Sequence, residues 1–109
     1  MNKLFYNDEY LNEEITSNNA IEVTLDDVLN RFYNLSETDG SFLGIKNEFN
    51  KIRQFAWIND NVWQLDIPEI TEMGSYQKEC TYEECVTIIK SLFQNSSWQI
   101  PEGVFFQKW

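Results

Sequence analysis

The chain has 109 residues, with eighteen acidic side chains against eight basic ones, no histidine and a formal net charge of −10. That length holds one core and predicts a single domain over 1–109, and an apolar content of 42% with 16% aromatic residues suffices to fill it. Charge of this sign repels phosphate backbones and anionic lipid, and the missing imidazole removes the common acid–base triads and most zinc sites.

Residues 1–20 begin with Leu4-Phe5-Tyr6 and continue through Asp8, Glu9, Glu13 and Glu14. This segment reads as a loosely docked arm, or as a short edge strand followed by a long loop, with Tyr10, Leu11 and Ile15 free to settle on the core. Helix-start signals then coincide: Thr24 can cap, Asp26 and Asp27 favour the positive end of the macrodipole, and Val23 with Val28 fits a hydrophobic staple. Leu25, Val28, Leu29, Phe32 and Leu35 recur at helical spacing, which predicts a helix over 25–35. Ser36 to Gly40 stops it, Gly40 giving the loop a residue free to take positive φ. Ser41 to Asn47 predicts a strand, with Gly44 marking a bulge or a close helix contact, and 48–51 the next turn. Gly40 and Gly44 lack the further glycines and the lysine of a phosphate loop.

Residues 52–67 predict a β-hairpin about Asn59, Asp60 and Asn61, with Ile58 opposite Val62. Ala56 then meets Gln64 and Gln54 meets Asp66 on one face, while Trp57 meets Trp63 and Phe55 meets Leu65 on the other. Pro68 ends this strand or confines it to an edge, and 69–79 reads as a polar connection turning at Gly74-Ser75. Thr81 and Glu84 form a capping box for a helix over 82–94, whose apolar face is Cys85, Ile88, Ile89, Leu92 and Phe93. Cys80 and Cys85 occupy the staple positions of that helix and read as reduced, small apolar residues. Residues 104–109 predict a last strand. Together these elements predict an α+β fold: one antiparallel sheet of about four to five strands, built around the hairpin 52–67, with both helices on its aromatic face.

The N-terminus lacks a signal-type apolar run, and no segment approaches the roughly 18 apolar residues of a membrane span, so the expected location is cytoplasmic. No catalytic, cofactor or metal site is expected. Carboxylate pairs such as Asp66 with Glu69, or Asp60 with Asp66, could be set opposite one another, but nothing in the pattern distinguishes them. Asn59-Asp60-Asn61 lacks the spacing of a calcium loop. The four tryptophans, Trp57, Trp63, Trp98 and Trp109, suit a core better than a ligand groove. An acidic chain with no chemistry of its own suits a stoichiometric binder of a basic protein. The carboxylates placed to steer such a partner lie in turns and at element ends: Asp26, Asp27, Glu37, Asp39, Asp60, Asp66, Glu69 and Glu72, with Tyr76 as a candidate anchor.

The run Asp39-Gly40-Ser41-Phe42-Leu43-Gly44-Ile45, then Ile52-Arg53-Gln54-Phe55, Trp63 to Pro68, Gly74-Ser75-Tyr76 and the helix from Thr81 to Phe93 resemble the small immunity proteins of bacterial polymorphic toxin systems, including contact-dependent growth inhibition. The likeness is one of layout over roughly 20–95. It implies a cytoplasmic protein that binds a cognate toxin domain and occludes or distorts its active site; the toxin's activity does not follow from the likeness, and the acidic charge adds the expectation of a basic toxin, a nuclease in the first instance. An acidic adaptor or nucleic-acid mimic that blocks DNA-binding proteins is the alternative the charge allows.

Overall fold

The computed structural model describes all residues, Met1–Trp109. The strands are β1 (Lys3–Asp8), β2 (Glu13–Ile15), β3 (Ile21–Glu22), β4 (Phe42–Lys46), β5 (Ile52–Asn59), β6 (Val62–Glu69), β7 (Gly74–Cys80) and β8 (Phe105–Lys108). Two helices, α1 (Leu25–Tyr33) and α2 (Tyr82–Gln94), complete the chain. One open antiparallel sheet runs β2-β1-β4-β5-β6-β7-β8, with β3 also paired to β1. The fold is α+β as expected, but with eight strands in place of about four to five.

The central hairpin explains why the rest assembles on it. Gln54, Phe55, Ala56 and Trp57 pair with Asp66, Leu65, Gln64 and Trp63. The tip differs from expectation: Asn59, not Ile58, faces Val62, because the register shifts between Trp57 and Asn59 and the loop tightens around Asn61 at φ 53°. Ile58 is thereby displaced outward and stays exposed. Phe55, Trp63, Leu65 and Ile67 all point to the helical side and are fully buried. There Phe32 of α1 lies 4.6 Å from the Trp63 ring and stacks on Tyr82 of α2 at 4.9 Å, so both helices meet over the hairpin. Fourteen buried residues form one cluster, from Leu4 to Leu92.

Both helices start where the sequence predicts. Thr24 accepts from the Asp27 N–H at 3.2 Å while Asp27 accepts from the Thr24 N–H at 3.0 Å, and Thr81 and Glu84 make the same reciprocal pair. α1 stops at Tyr33, short of 35; Leu35 is buried from the loop that follows.

Two segments differ from the sequence reading. The N-terminal arm is not loose: β1 lies inside the sheet, paired with β4 on one side and with β2 and β3 on the other. Its Leu4 joins the main core while Phe5 is buried on the opposite face. Gly44 serves that second face, because the Phe5 ring lies where a Cβ at 44 would be; there is neither a bulge nor a helix contact. The stretch 69–79 is likewise not a polar connection. A short 3-10 turn, Ile70–Glu72, and Met73 at φ 58° reverse the chain, and β7 follows, paired with β6 from Gly74 to Cys80. Gly74 is therefore a strand residue, and a Cβ there would meet the Gln107 carbonyl at 2.6 Å and the Phe106 ring. Pro68 is tolerated in an internal strand because pairing with β5 ends at Asp66, two residues earlier, while pairing with β7 continues opposite Ser75.

Candidate interaction surface

Antiparallel register decides which loops share an end of the sheet. The β5–β6 tip, the loop 34–41, the turn after β1 and the N-terminus of α2 all fall at one end. Contacts fix this grouping: Asn61 of the tip accepts from the Tyr82 N–H at 3.0 Å, the Trp57 N–H donates to the Ser41 carbonyl at 3.0 Å, and Asp8 accepts from the Ser36 N–H at 2.9 Å. Eight exposed carboxylates stand on these segments: Glu9, Glu13, Glu14, Glu37, Asp39, Asp60, Glu83 and Glu84. Two basic residues approach them: Arg31, which lies 3.9 Å from Glu13 and over the Tyr6 ring at 4.7 Å, and Lys78, which lines one cleft with Glu83 and Glu84 and acts on the Glu84 carboxylate. Lys3, Lys46, Lys51, Arg53, Lys90 and Lys108 all fall at or toward the opposite end, where six carboxylates balance them.

Exposed apolar groups punctuate the acidic end. Tyr10 is 75% and Tyr33 76% exposed, and Leu11 and Ile58 are also open to solvent. Tyrosines surrounded by charge are common anchors of protein interfaces, since a rigid ring buries area at small entropic cost. Tyr33 and Glu37 both act on Tyr82, whose phenol is pushed up first by burial and then by these neighbours. The backbone N–H of Thr81 holds the Glu84 carboxyl below its usual range.

The sequence-derived site residues do not form one patch. Glu37, Asp39 and Asp60 lie at the acidic end. Asp26 and Asp27 sit on the first turn of α1 at the other end, with Asp27 occupied in its cap. Asp66 lies mid-sheet on the face away from the helices, accepting from Ser75 Oγ at 3.0 Å and Gln77 Nε2 at 2.9 Å. Glu69 sits 3.7 Å from Lys51. Tyr76 is half-buried with its ring edge-on to Phe106, and its hydroxyl donates to Glu72 at 3.3 Å; partial burial, then that carboxylate, push the phenol up. This leaves Tyr76 engaged within the fold rather than presented as an anchor. Glu83 and Glu84 were legible by the same helix-start rule that selects Asp26 and Asp27. Tyr10, Glu9, Glu13 and Glu14 were hidden inside the supposed arm, and Tyr33 reads from the sequence as one more residue of a helix.

The carboxylate pairs considered from sequence are separated, Asp60 on the tip, Asp66 in its own network and Glu69 beside Lys51. No three His, Cys, Asp or Glu side chains come together in a way that could hold a metal ion. Cys80 and Cys85 are free thiols, both buried, and burial raises the pKa of each. Trp63 is buried, Trp57 and Trp98 half-buried and Trp109 exposed, so the tryptophans line no common groove. No helix is long and apolar enough to cross a membrane.

The fold and this surface define the chain as a small α+β domain with a single open sheet, helices on one face and strongly unequal ends. Comparison with protein-family models, with curated proteins and with solved structures finds no match.

Proposed function

We propose that the chain is a binding protein of the immunity type, which captures a basic toxin domain, a nuclease in the first instance, and blocks it stoichiometrically in the cytoplasm. The observation that carries the reading is the convergence of Glu9, Glu13, Glu14, Glu37, Asp39, Asp60, Glu83 and Glu84 around exposed Tyr10 and Tyr33. Carboxylates held at loop ends stay solvated and act at long range, so they accelerate encounter with a cation-rich surface. The tyrosines supply the desolvated contacts that slow dissociation. No catalytic role is assigned to any residue, because the acidic end holds no imidazole or accessible thiol and its carboxylates are exposed rather than enclosed.

The test joins capture to protection. The full chain, immobilised, is exposed to lysate of its own producing cell, beside a Glu37→Gln, Asp60→Asn, Tyr33→Ala variant, and the captured protein is then expressed with and without the chain. The expected result is one cationic protein, lost with the variant, whose toxicity the wild-type chain suppresses. Capture of several unrelated nucleic-acid-binding proteins would instead favour the acidic mimic. Capture insensitive to all three substitutions would overturn the assignment of this end.

A further inference from the structure

At the opposite end of the sheet, between the β4–β5 turn and the segment after α2, lies a cleft of about 530 Å³. Its floor is Arg53, only 3% exposed, and its walls include Phe49, Lys51, Glu69, Trp98 and Ile100. Arg53 is an anomaly in so acidic a chain: it forms no salt bridge. One terminal nitrogen donates to the Ile52 carbonyl at 3.1 Å and the other, at 3.4 Å, to that of Trp98. Its Nε is buried without a partner. The only carboxylate acting on it is Glu69, which already faces Lys51 at 3.7 Å. A buried cation that makes no salt bridge, whose one nearby carboxylate is shared with Lys51, and which keeps an unmet donor, is costly unless something else supplies the acceptor.

We propose that this cleft binds a carboxylate attached to an apolar body, with the carboxylate docking on Arg53. Only two of the five guanidinium N–H donors are taken by carbonyls, and a pair of parallel N–H groups on neighbouring nitrogens matches the two oxygens of a carboxylate. Trp98, whose ring lies 5.3 Å from the guanidinium carbon, holds the fork in one orientation, and exposed Phe49 and Ile100 offer apolar surface to the remainder of the ligand. Glu69 in the wall and the net charge of −10 oppose a phosphate dianion more strongly than a singly charged planar anion. A cleft of this size is within the usual range for small ligands. The site is independent of the acidic end.

The carboxylate can belong to a small organic acid or to the C-terminus of a peptide, and two probes separate these. Benzoate and N-acetylated Gly-Gly-Phe with a free C-terminus are each titrated into the full chain and followed by the side-chain Nε–H resonance of Arg53; benzamide and the amidated peptide are the controls. Saturable shifts with the acids and none with the amides are expected, and the tighter of the two acids identifies the source. Arg53→Lys, which keeps the charge but not the fork, weakens binding by about tenfold or more. Because Arg53 is buried and its substitution can disturb folding, Phe49→Ala on the exposed wall gives a second readout: benzoate weakens and acetate does not. No shift of the Arg53 Nε–H with either acid, equal shifts with the amides, or benzoate affinity unchanged in both variants would overturn the proposal.

Discussion

Asp8 shows how one side chain can tie distant segments together. Its residue is fully buried, and its two oxygens accept from the Leu11 N–H at 3.0 Å and the Ser36 N–H at 2.9 Å, joining the β1–β2 turn to the loop after α1. Burial alone would raise its carboxyl, but these two donors, with help from Arg31, outweigh it and hold the group below the ordinary 3.8. A lowered folded-state value means the unfolded chain takes up the proton first on acidification. The stabilisation is therefore complete above about pH 4 and disappears as pH falls through the folded value. Asp8→Ala leaves the Leu11 and Ser36 N–H groups without their acceptor and should cost about 1–3 kcal/mol for each that finds no water. Urea denaturation at pH 7 and pH 3 checks this: the mutant deficit should be large at pH 7 and shrink at pH 3, and a deficit independent of pH would refute the carboxylate's role. The two thiols behave differently. Cys80 and Cys85 are packed as small apolar groups, so a Cys80→Ala, Cys85→Ala chain is expected to fold, and to hold the partner proposed above, equally under oxidising and reducing conditions. In the parent, a thiol reagent should react only as fast as the chain opens.

Among the elements, α2 closes the core most directly. Cys85, Ile89 and Leu92 are its buried residues, set by 3.6-residue periodicity over β6 and β7. Leu92→Ala should destabilise by about 2–5 kcal/mol, read as a lowered denaturation midpoint, and an unchanged midpoint would mean the helix contributes little. β7 and β1 are the elements whose nature their own sequences obscure. In β7 the inward series Gly74, Tyr76, Lys78, Cys80 contains a glycine and a lysine, so hydrophobic alternation is missing. Lys78 is accommodated because its amine reaches out to the Glu102 carbonyl at 3.1 Å while its stem lies along the sheet. In β1, Leu4 and Phe5 are adjacent and bury on opposite faces, a pattern that a six-residue window cannot distinguish from an isolated apolar patch.

For the whole molecule, the distribution of charge matters more than its sum. The longest dimension is 34 Å, whereas electrostatic interactions are screened over about 8 Å at physiological ionic strength, so a docking partner senses the end it approaches. If the proposed acidic end steers a basic toxin domain, the association rate should fall steeply with salt while dissociation changes less. Asp60→Asn should slow association, whereas Glu69→Gln, at the balanced end and already beside Lys51, should leave it nearly unchanged. Binding kinetics at two salt concentrations with both variants test this directly. Equal effects of the two substitutions would mean that net charge, rather than its placement, governs encounter.

The sequence by itself determined the hairpin register from Gln54 to Trp57, both helix starts and the inward faces of α1 and α2, because these rest on interactions within a few residues: caps, staples and strict periodicity. It also set the acidic balance and the absence of histidine. Only the tertiary structure decided that β1 and β7 are sheet strands, since a strand's backbone is satisfied by neighbours distant in sequence, and Gly44 and Gly74 make room for rings contributed by Phe5 and Phe106. It alone brought Glu9, Asp39, Asp60 and Glu83 to one end and left Arg53 buried without a salt bridge, its Nε unmet, at the other. Coulomb interactions depend on distances through space, and antiparallel register, not position along the chain, fixes those distances.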